Sequence, residues 1–382
     1  MTEGRPLDGL VVADLSRVLA GPTAAVMLAD LGARVIKVER PVTGDDTRQW
    51  GPPWAGSSSS YFESANRSKQ SIALDFGDDD DLRIARALVD RADVVIENYR
   101  SGTLERHGLD AGAVSERNPR VVYVSITGFG SGAGAALPGY DFLLQAVGGL
   151  MSITGQPGGQ PTKVGVAVVD LLAAKDVVMG VLAAILHREK TGRGQHVEVN
   201  LLSSAVASLA NQASAYLTTG TSPGLLGNHH PSIAPYGAFR CGDEQLAIAV
   251  GTERQWVALA GVVGAPELAG DPRFATNAAR VEHHADLVTE LERRLEDDDV
   301  AGWIERMGSS GVPAGKVNDV GAAIALATEL GLEPTVDVGR DHPAQLRHPV
   351  RYSAFEPVAP VAPPALDAGR AAVLAWLETG PA

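Results

Sequence analysis

Short apolar runs alternate with amphipathic stretches through the first half of the chain, a pattern typical of parallel β–α–β units. At the N-terminal end, residues 10–14 and 34–39 predict two buried strands. The stretch between them, 22–31, predicts a helix with Pro22 in its first turn and Gly32 at its end. This part of the chain therefore predicts a parallel crossover.

The same alternation continues along the chain. Four consecutive aspartates, residues 78–81, precede apolar positions at helical spacing and favour the positive N-terminal end of a helix. A nearly uninterrupted apolar stretch over 167–189 predicts a long helix in the core. Further strands are predicted over 71–75, 93–97, 120–126 and 196–200, and further helices over 201–217 and 371–377.

A change of composition separates a second domain from the first. Residues 218–235 are rich in Gly, Pro, His and Ser and read as a linker. A hairpin over 236–251 and a mainly helical region over 254–307 follow the linker. The sequence predicts an α/β protein with a large parallel-sheet domain (1–222 and 319–382) and a smaller α+β domain (223–318).

Composition and charge exclude several classes of protein. The 382 residues are 45% hydrophobic and 20% charged, which excludes a disordered chain. A net charge of −14 disfavours nucleic-acid binding, although a few clustered basic residues can still bind a small anion. The only cysteine, Cys241, can form neither an intrachain disulfide nor a cysteine zinc site.

One apolar stretch, 165–186, is long enough to cross a membrane. It contains Asp170, Lys175 and Asp176, and each such charge costs about 2.5–3.5 kcal/mol at mid-bilayer. A buried segment of a soluble protein is the better interpretation. The first residues lack the basic start and apolar run of a signal peptide, so we expect a cytoplasmic protein.

Two motifs receive weak support as functional sites. The glycine-rich run 128–133 fits the dinucleotide pattern, but Pro138 interrupts it and no acid follows at the required distance. A mobile glycine-rich loop is favoured instead. His229 and His230 are adjacent and lack the i, i+4 spacing of helical metal ligands, which leaves a substrate contact in the linker as the alternative to a structural role.

Asp170 is the most informative single residue. It lies in the apolar run 164–172, where an unpaired carboxylate costs several kcal/mol. Asp is also a favoured helix N-cap, and a predicted helix runs on from this point. The pattern alone leaves capping and catalysis equally open.

Basic residues follow several of the predicted strands, in positions that lie near the carboxyl ends of a parallel sheet. These residues are Arg40, Arg48, Arg67, Lys69, Arg100 and Arg106. Because ligands bind at that edge of such sheets, the cluster predicts a phosphate-bearing ligand.

A set of short segments spread over most of the chain forms a recognisable series: Pro6-Leu7-Asp8-Gly9, Val18-Leu19-Ala20-Gly21-Pro22, residues 31–40, Gly44-Asp45-Asp46-Thr47-Arg48, Asn66-Arg67-Ser68-Lys69-Gln70-Ser71, Glu97-Asn98-Tyr99, Gly139-Tyr140-Asp141, residues 190–195 and Gly311-Val312-Pro313-Ala314-Gly315. Together these segments resemble the family III CoA-transferases, which include formyl-CoA transferase, the carnitine CoA-transferases and α-methylacyl-CoA racemase. Their order and coverage carry the resemblance.

The resemblance implies a Rossmann-like large domain built from both chain ends, a smaller domain, and a homodimer of two interlinked rings. It also implies that Asp170 is the catalytic carboxylate, with acyl-CoA thioesters as substrates and no permanently bound cofactor or metal. The CoA contacts that it implies are Leu19, Ala20, Arg40, Leu74, Asn98, Tyr99, Arg100, Arg106 and Tyr140. Leu19 stands where formyl-CoA transferase has Gln.

The resemblance implies CoA transfer through an aspartyl-CoA thioester and mixed anhydrides. The racemase relatives instead move an α-proton with a His in Gly-His-Asp, and Tyr140 occupies that position here, which favours the transferase. A CoA-binding protein without activity is a third alternative. Residues 201–204, 229–236 and 348–353 look most like the succinyl-CoA:dicarboxylate branch. We therefore predict a dicarboxylate acceptor held by Arg48, His229 and His230.

Overall fold

The computed structural model describes residues 4–339 and 341–379, which fold into two compact units. One unit comprises Met1–Met151, Lys163–Thr221 and Leu332–Ala382, and the other comprises Ser152–Thr162 and Ser222–Gly331. The domain boundaries predicted from the sequence are 1–222 with 319–382 for the large domain and 223–318 for the small one. They stay a prediction.

Strands and helices alternate along most of the chain, through both units. The strands are β1 (Val11–Asp14), β2 (Arg34–Glu39), β3 (Trp54–Ala55), β4 (Ser58–Ser59), β5 (Lys69–Ala73), β6 (Val94–Glu97), β7 (Val122–Thr127), β8 (Gln195–Asn200), β9 (Tyr236–Cys241), β10 (Glu244–Ala249), β11 (Ala314–Lys316), β12 (Thr335–Val336) and β13 (Gln345–Leu346). The α-helices are α1 (Ala20–Asp30), α2 (Ser60–Asn66), α3 (Asp79–Arg91), α4 (Ala111–Arg117), α5 (Asp141–Val147), α6 (Val168–Thr191), α7 (Leu201–Ser208), α8 (Ala210–Thr219), α9 (Glu253–Val262), α10 (Asn277–Glu282), α11 (His284–Leu295), α12 (Val300–Ser309), α13 (Val320–Glu329) and α14 (Arg370–Glu378).

The central sheet of the first unit has the order β5-β2-β1-β6-β7-β8, and its neighbouring strands are all parallel. In chain order within this sheet, that sequence of strands is 3-2-1-4-5-6, the Rossmann arrangement. The predicted parallel α/β sheet is therefore confirmed. The strand order reverses between β1 and β6, and ligands of such folds bind outside the carboxyl ends of the strands at this reversal.

Helix α6 forms much of the core on one face of the sheet. Its positions Val169, Ala173, Val177 and Val181 are fully buried and share a cluster with α1, α5 and α7. The predicted long core helix is confirmed. Among residues 4–339 and 341–379, no helix combines the length and the apolar character that crossing a bilayer requires.

Several predicted boundaries need correction. Strand β5 begins at Lys69 and ends at Ala73, two residues earlier than predicted, because its pairing register follows β2. The predicted single helix over 201–217 is wrong: it divides into α7 and α8, because Ala210 adopts a positive φ of 44°. The aspartates at the start of α3 are confirmed as helix-terminal, since Asp78 accepts from the amides of Asp80 and Asp81.

The second unit has its own core. Strands β9 and β10 form the predicted hairpin, whose turn contains Gly242 at a φ of +60°, and β11 adds a third antiparallel strand. Trp256, Trp303 and Phe274 are nearly fully buried among the helices of this unit.

A cluster of buried charges lies at the carboxyl ends of β1 and β2 in the first unit. Lys69 Nζ donates to Asp14 Oδ2 at 2.8 Å, and Lys37 Nζ donates to Asp45 Oδ2 at 2.9 Å. The two lysine side chains and the Asp14 and Asp45 side chains are fully buried or nearly so. Burial opposes the ionisation of Asp45, but the Lys37 charge outweighs it and lowers the Asp45 pKa to about 2. The carboxylates therefore stay ionised at neutral pH.

We expect Lys37→Met to lower the free energy of unfolding by about 3–5 kcal/mol, because Asp14 and Asp45 would lose a buried positive partner. Urea denaturation at pH 7 measures this change. The matched control is Arg83→Gln, which removes an exposed ion pair with Asp80 and should leave the free energy nearly unchanged. An equally small effect of both substitutions would contradict the role of the buried cluster.

Candidate active site

Asp170 is the third residue of α6, at the N-terminal end of the helix. The N-cap position is Ala167, and no side chain at that position bonds the first turn. The hypothesis that Asp170 itself caps the helix is therefore wrong. Among the described residues its carboxylate has neither a hydrogen-bond nor an ion-pair partner, although the side chain is partly buried.

Asp141 performs the capping from another helix. Asp141, the first residue of α5, accepts with Oδ1 from the backbone N–H of Val169 at 2.8 Å and of Asp170 at 3.2 Å. These two amides would otherwise lack partners in the first turn of α6. Asp141 therefore fixes the backbone that carries Asp170.

Gln145, one turn further along α5, holds Asp141 in place. This fully buried side chain donates from Nε2 to Asp141 Oδ2 at 2.7 Å, and its Oε1 accepts from the Val164 N–H at 2.8 Å. The segment before α6 is thus tied to α5 at two points. Sequence reasoning missed Gln145, and its only signal is a polar residue on the apolar side of a short helix.

The surroundings of Asp170 disfavour its charge. Burial raises the pKa of Asp170 to about 7, and the negative charge of Asp141 adds to the increase. At neutral pH the side chain is therefore divided between its acid and its carboxylate. The ionised form is a stronger base and nucleophile than an ordinary aspartate.

A tyrosine that sequence reasoning missed lies in the same electrostatic environment. Burial raises the pKa of Tyr61 to about 12, and the charges of Asp170, Asp141 and Asp45 contribute. The phenol therefore keeps its proton at neutral pH and is available as a hydrogen-bond donor. The Tyr61 ring packs edge-to-face with the ring of Trp50, and the two ring centroids are 5.2 Å apart.

The glycine-rich loop leads directly into this site. Its two ends touch at Gly128 and Gly139, where a Cβ on Gly128 would lie 2.6 Å from the Gly139 Cα. The loop is not followed directly by a helix, as a dinucleotide fold requires, since α5 begins only at Asp141. Tyr140 precedes α5 and is 66% exposed.

A cavity of about 450 Å³ opens at the carboxyl ends of β1, β2, β5 and β6. Four of the predicted CoA contacts line it together: Arg40, Leu74, Tyr99 and Arg106. Arg17, which sequence reasoning missed, lines the same cavity. Two or more guanidinium groups in one cavity are suited to bind phosphate.

The other predicted contacts lie elsewhere in this unit. Leu19 and Ala20 are at the N-terminal end of α1. The side-chain amide of Asn98 makes two hydrogen bonds with the backbone of Arg17: Oδ1 accepts from the Arg17 N–H, and Nδ2 donates to the Arg17 carbonyl. Arg100 lines a neighbouring cavity of about 270 Å³ together with Glu97. Burial raises the pKa of Glu97 to about 7.

Two of the three guanidinium nitrogens of Arg48 already donate hydrogen bonds to other residues of the protein. Its Nε and one Nη bond both carboxylate oxygens of Glu39, at 2.8 and 2.7 Å, and that Nη also reaches the Pro364 carbonyl at 3.1 Å. The other terminal nitrogen makes no hydrogen bond to a described residue. Two further residues of the predicted basic cluster, Arg67 and Lys69, are buried in ion pairs with Asp30 and Asp14.

His229 and His230 belong to the second unit. The His229 ring lies 4.1 Å from that of His284, centroid to centroid, and burial lowers the pKa of His229. His230 accepts a hydrogen bond from the Ser232 N–H at 3.1 Å and lies against Tyr236.

Comparison with known proteins gives concordant results. The sequence model of CoA-transferase family III matches residues 7–370. A succinate–glutarate CoA-transferase of Agrobacterium fabrum is 43% identical, over 82% of this chain and 80% of the relative. An acetyl-CoA:oxalate CoA-transferase of Acetobacter aceti is 41% identical, over 84% of this chain and 83% of the relative.

The fold also matches a solved structure. The crystal structure of a CAIB/BAIF family protein from Brucella suis superimposes with a TM-score of 0.89 at 41% identity. The match covers 98% of this chain and 100% of the other. Family model, sequence relatives and fold agree with the resemblance found in the sequence, and the chain belongs to CoA-transferase family III.

Proposed function

We propose that this protein transfers CoA from succinyl-CoA to a dicarboxylic acid, with Asp170 as the covalent nucleophile. One observation carries the proposal: Asp170 has a partly buried carboxylate with no partner among the described residues, and Asp141 bonds the backbone that carries it at the start of α6. A partly buried carboxylate without a compensating partner lowers the stability of the folded protein, and such costly groups are typical of functional sites.

The chemistry follows from the need to exchange one acid for another without hydrolysis. Asp170 attacks the thioester carbonyl of the donor, which breaks the C–S bond and gives a mixed anhydride and free CoA thiolate. The thiolate then attacks the Asp170 carbonyl and releases succinate, leaving an aspartyl-CoA thioester. The acceptor carboxylate repeats both steps in reverse, and Asp170 regains its carboxylate.

The relatives support a dicarboxylate acceptor. Glutarate and oxalate, which appear in the names of two of them, each carry a second carboxylate. In this proposal the distal carboxylate binds Arg48 through the terminal nitrogen not engaged by Glu39 or Pro364. A contribution of His229 and His230 stays a prediction.

The assembly and location that the resemblance implies belong to the same proposal. The protein would act as a homodimer of interlinked chains in the cytoplasm, with CoA thioesters as transient ligands. Leu19, Ala20, Arg40, Leu74, Asn98, Tyr99, Arg100, Arg106 and Tyr140 would surround the CoA.

We expect succinyl-CoA to leave a covalent CoA adduct on the wild-type protein and none on Asp170→Asn, because the amide cannot form the anhydride. Intact-protein mass spectrometry, with hydroxylamine to cleave the adduct, measures this. Asp176→Asn on the same helix is the matched control and should keep the adduct. Equal adducts on the wild type and Asp170→Asn would contradict the assignment. No adduct, but exchange of the α-proton of a 2-methylacyl-CoA in deuterated water, would favour the racemase.

We expect kcat/KM for succinyl-CoA to rise with pH to a plateau, with its midpoint near 7, because only the ionised Asp170 attacks. Asp141→Asn should move this midpoint to lower pH. It removes a negative charge beside Asp170 and keeps an oxygen for the amides of Val169 and Asp170. Initial rates between pH 5 and about 9 measure the midpoint. An unchanged midpoint would contradict the coupling between the two carboxyl groups.

We expect Arg48→Ala to raise KM for glutarate at least about tenfold more than KM for pentanoate, which lacks the distal carboxylate. Losing the contact with Glu39 would affect both acids alike, so the ratio isolates the distal contact. Steady-state assays with the two acceptors measure it. Equal increases in KM would assign Arg48 to a structural role.

A further inference from the structure

We infer that Arg17 is a phosphate-binding residue of the 450 Å³ cavity and that Asp46 holds it as a pair with Arg40. The inference rests on the proposed function, because CoA is the phosphate ester concerned. Neither the basic cluster identified in the sequence nor the contacts implied by the resemblance included Arg17.

The backbone of Arg17 is fixed at the point where the strand order reverses. Its N–H donates to Asn98 Oδ1 at 2.9 Å, and Asn98 Nδ2 donates to its carbonyl at 2.8 Å. Arg17 follows β1 and Asn98 follows β6, so this pair of bonds joins the two strands on either side of the reversal. Asn98 therefore acts as a positioning residue for Arg17.

The next residue shows a strained backbone. Val18 has a φ of +73°, in the left-handed region that a β-branched residue rarely adopts. Its N–H lies 3.3 and 3.4 Å from the two carboxylate oxygens of Asp45, which the buried Lys37 holds in turn. Such strain persists where surrounding contacts enforce it, often at ligand sites.

The side chain of Arg17 packs against an aromatic ring but makes few hydrogen bonds to the described residues. Its guanidinium carbon lies 5.1 Å from the centroid of the Tyr99 ring, which lines the same cavity. Its one hydrogen bond among the described residues is a long one, 3.4 Å, from Nη1 to Asp46 Oδ2. Its Nε is buried and has no hydrogen-bond partner in the part of the chain that the structure describes. Arg48, by contrast, bonds both oxygens of Glu39 and the Pro364 carbonyl, and only one of its terminal nitrogens makes no hydrogen bond to a described residue.

Arg40 completes the pair, because it bonds the other oxygen of the Asp46 carboxylate. Two guanidinium groups around one carboxylate carry a net charge of +1 as a group. Arg106 also lines the cavity, together with Asp75 and with Glu39, whose carboxylate is paired with Arg48. In a protein of net charge −14, this local excess of positive charge would attract an anion to these two arginines. Several N–H groups of both arginines remain for the oxygens of a phosphate.

CoA carries a diphosphate and a 3′-phosphate, and three ligands separate these groups. Calorimetric titration with CoA, dephospho-CoA and pantetheine is made on the full-length wild type and on Arg17→Gln. We expect Arg17→Gln to weaken CoA binding at least about tenfold and to leave pantetheine binding unchanged. An equal loss for dephospho-CoA would assign Arg17 to the diphosphate, and a loss for CoA alone would assign it to the 3′-phosphate.

Equal weakening of CoA and pantetheine, or weakening of neither, would overturn the inference. Arg83→Gln on α3 is the charge-matched control and should bind all three ligands like the wild type. If thermal melting shows that Arg17→Gln is unfolded, Arg17→Lys carries the test. It keeps the charge without the planar fork and should show a smaller loss, again confined to the phosphate-bearing ligands. A wild type that bound no CoA would instead overturn the proposed function.

Discussion

Buried lysines allow the carboxyl edge of the central sheet to hold charged groups without exposing them to water. Lys37 and Lys69 have fully buried side chains, and each faces a carboxylate on the same edge. Removing either partner of such a pair leaves an uncompensated buried charge. The loops that follow β1 and β2 are tied to this cluster, since Asp45 bonds both Lys37 and the N–H of Val18. The position of Arg17 therefore depends on charges that are buried away from solvent.

The second set of charges has the opposite character. The Asp141 carboxylate stabilises the fold, because it satisfies two amides at the start of α6. The same negative charge makes ionisation of Asp170 less favourable and contributes to its raised pKa. A single side chain thus stabilises the helix and activates its neighbour. This arrangement explains how a well-capped helix can carry a carboxylate that has no partner among residues 4–339 and 341–379.

Local patterns in the sequence predicted much of the fold. Strand β2 has the predicted limits, and α6 differs from its prediction by one residue at its start and two at its end. Contacts between distant residues account for what was missed. The cap of α6 comes from Asp141, 29 positions before Asp170, and the clamp on Arg17 comes from Asn98, 81 positions away. Residue types alone therefore left Asp170 ambiguous and gave no reason to select Arg17. Hydrogen bonds between α5 and α6 decide the first case, and hydrogen bonds between the segments after β1 and β6 decide the second.

A pKa near 7 suits the proposed role of Asp170 in both directions of the exchange. A more basic carboxylate attacks a thioester faster, but it also leaves an anhydride more slowly. Each turnover requires Asp170 to act once as nucleophile and once as leaving group, so an extreme pKa would slow one half of the cycle. An ordinary aspartate in water would be a weaker nucleophile, and a fully buried one without a cationic partner would be protonated. Partial burial beside Asp141 places Asp170 between these limits.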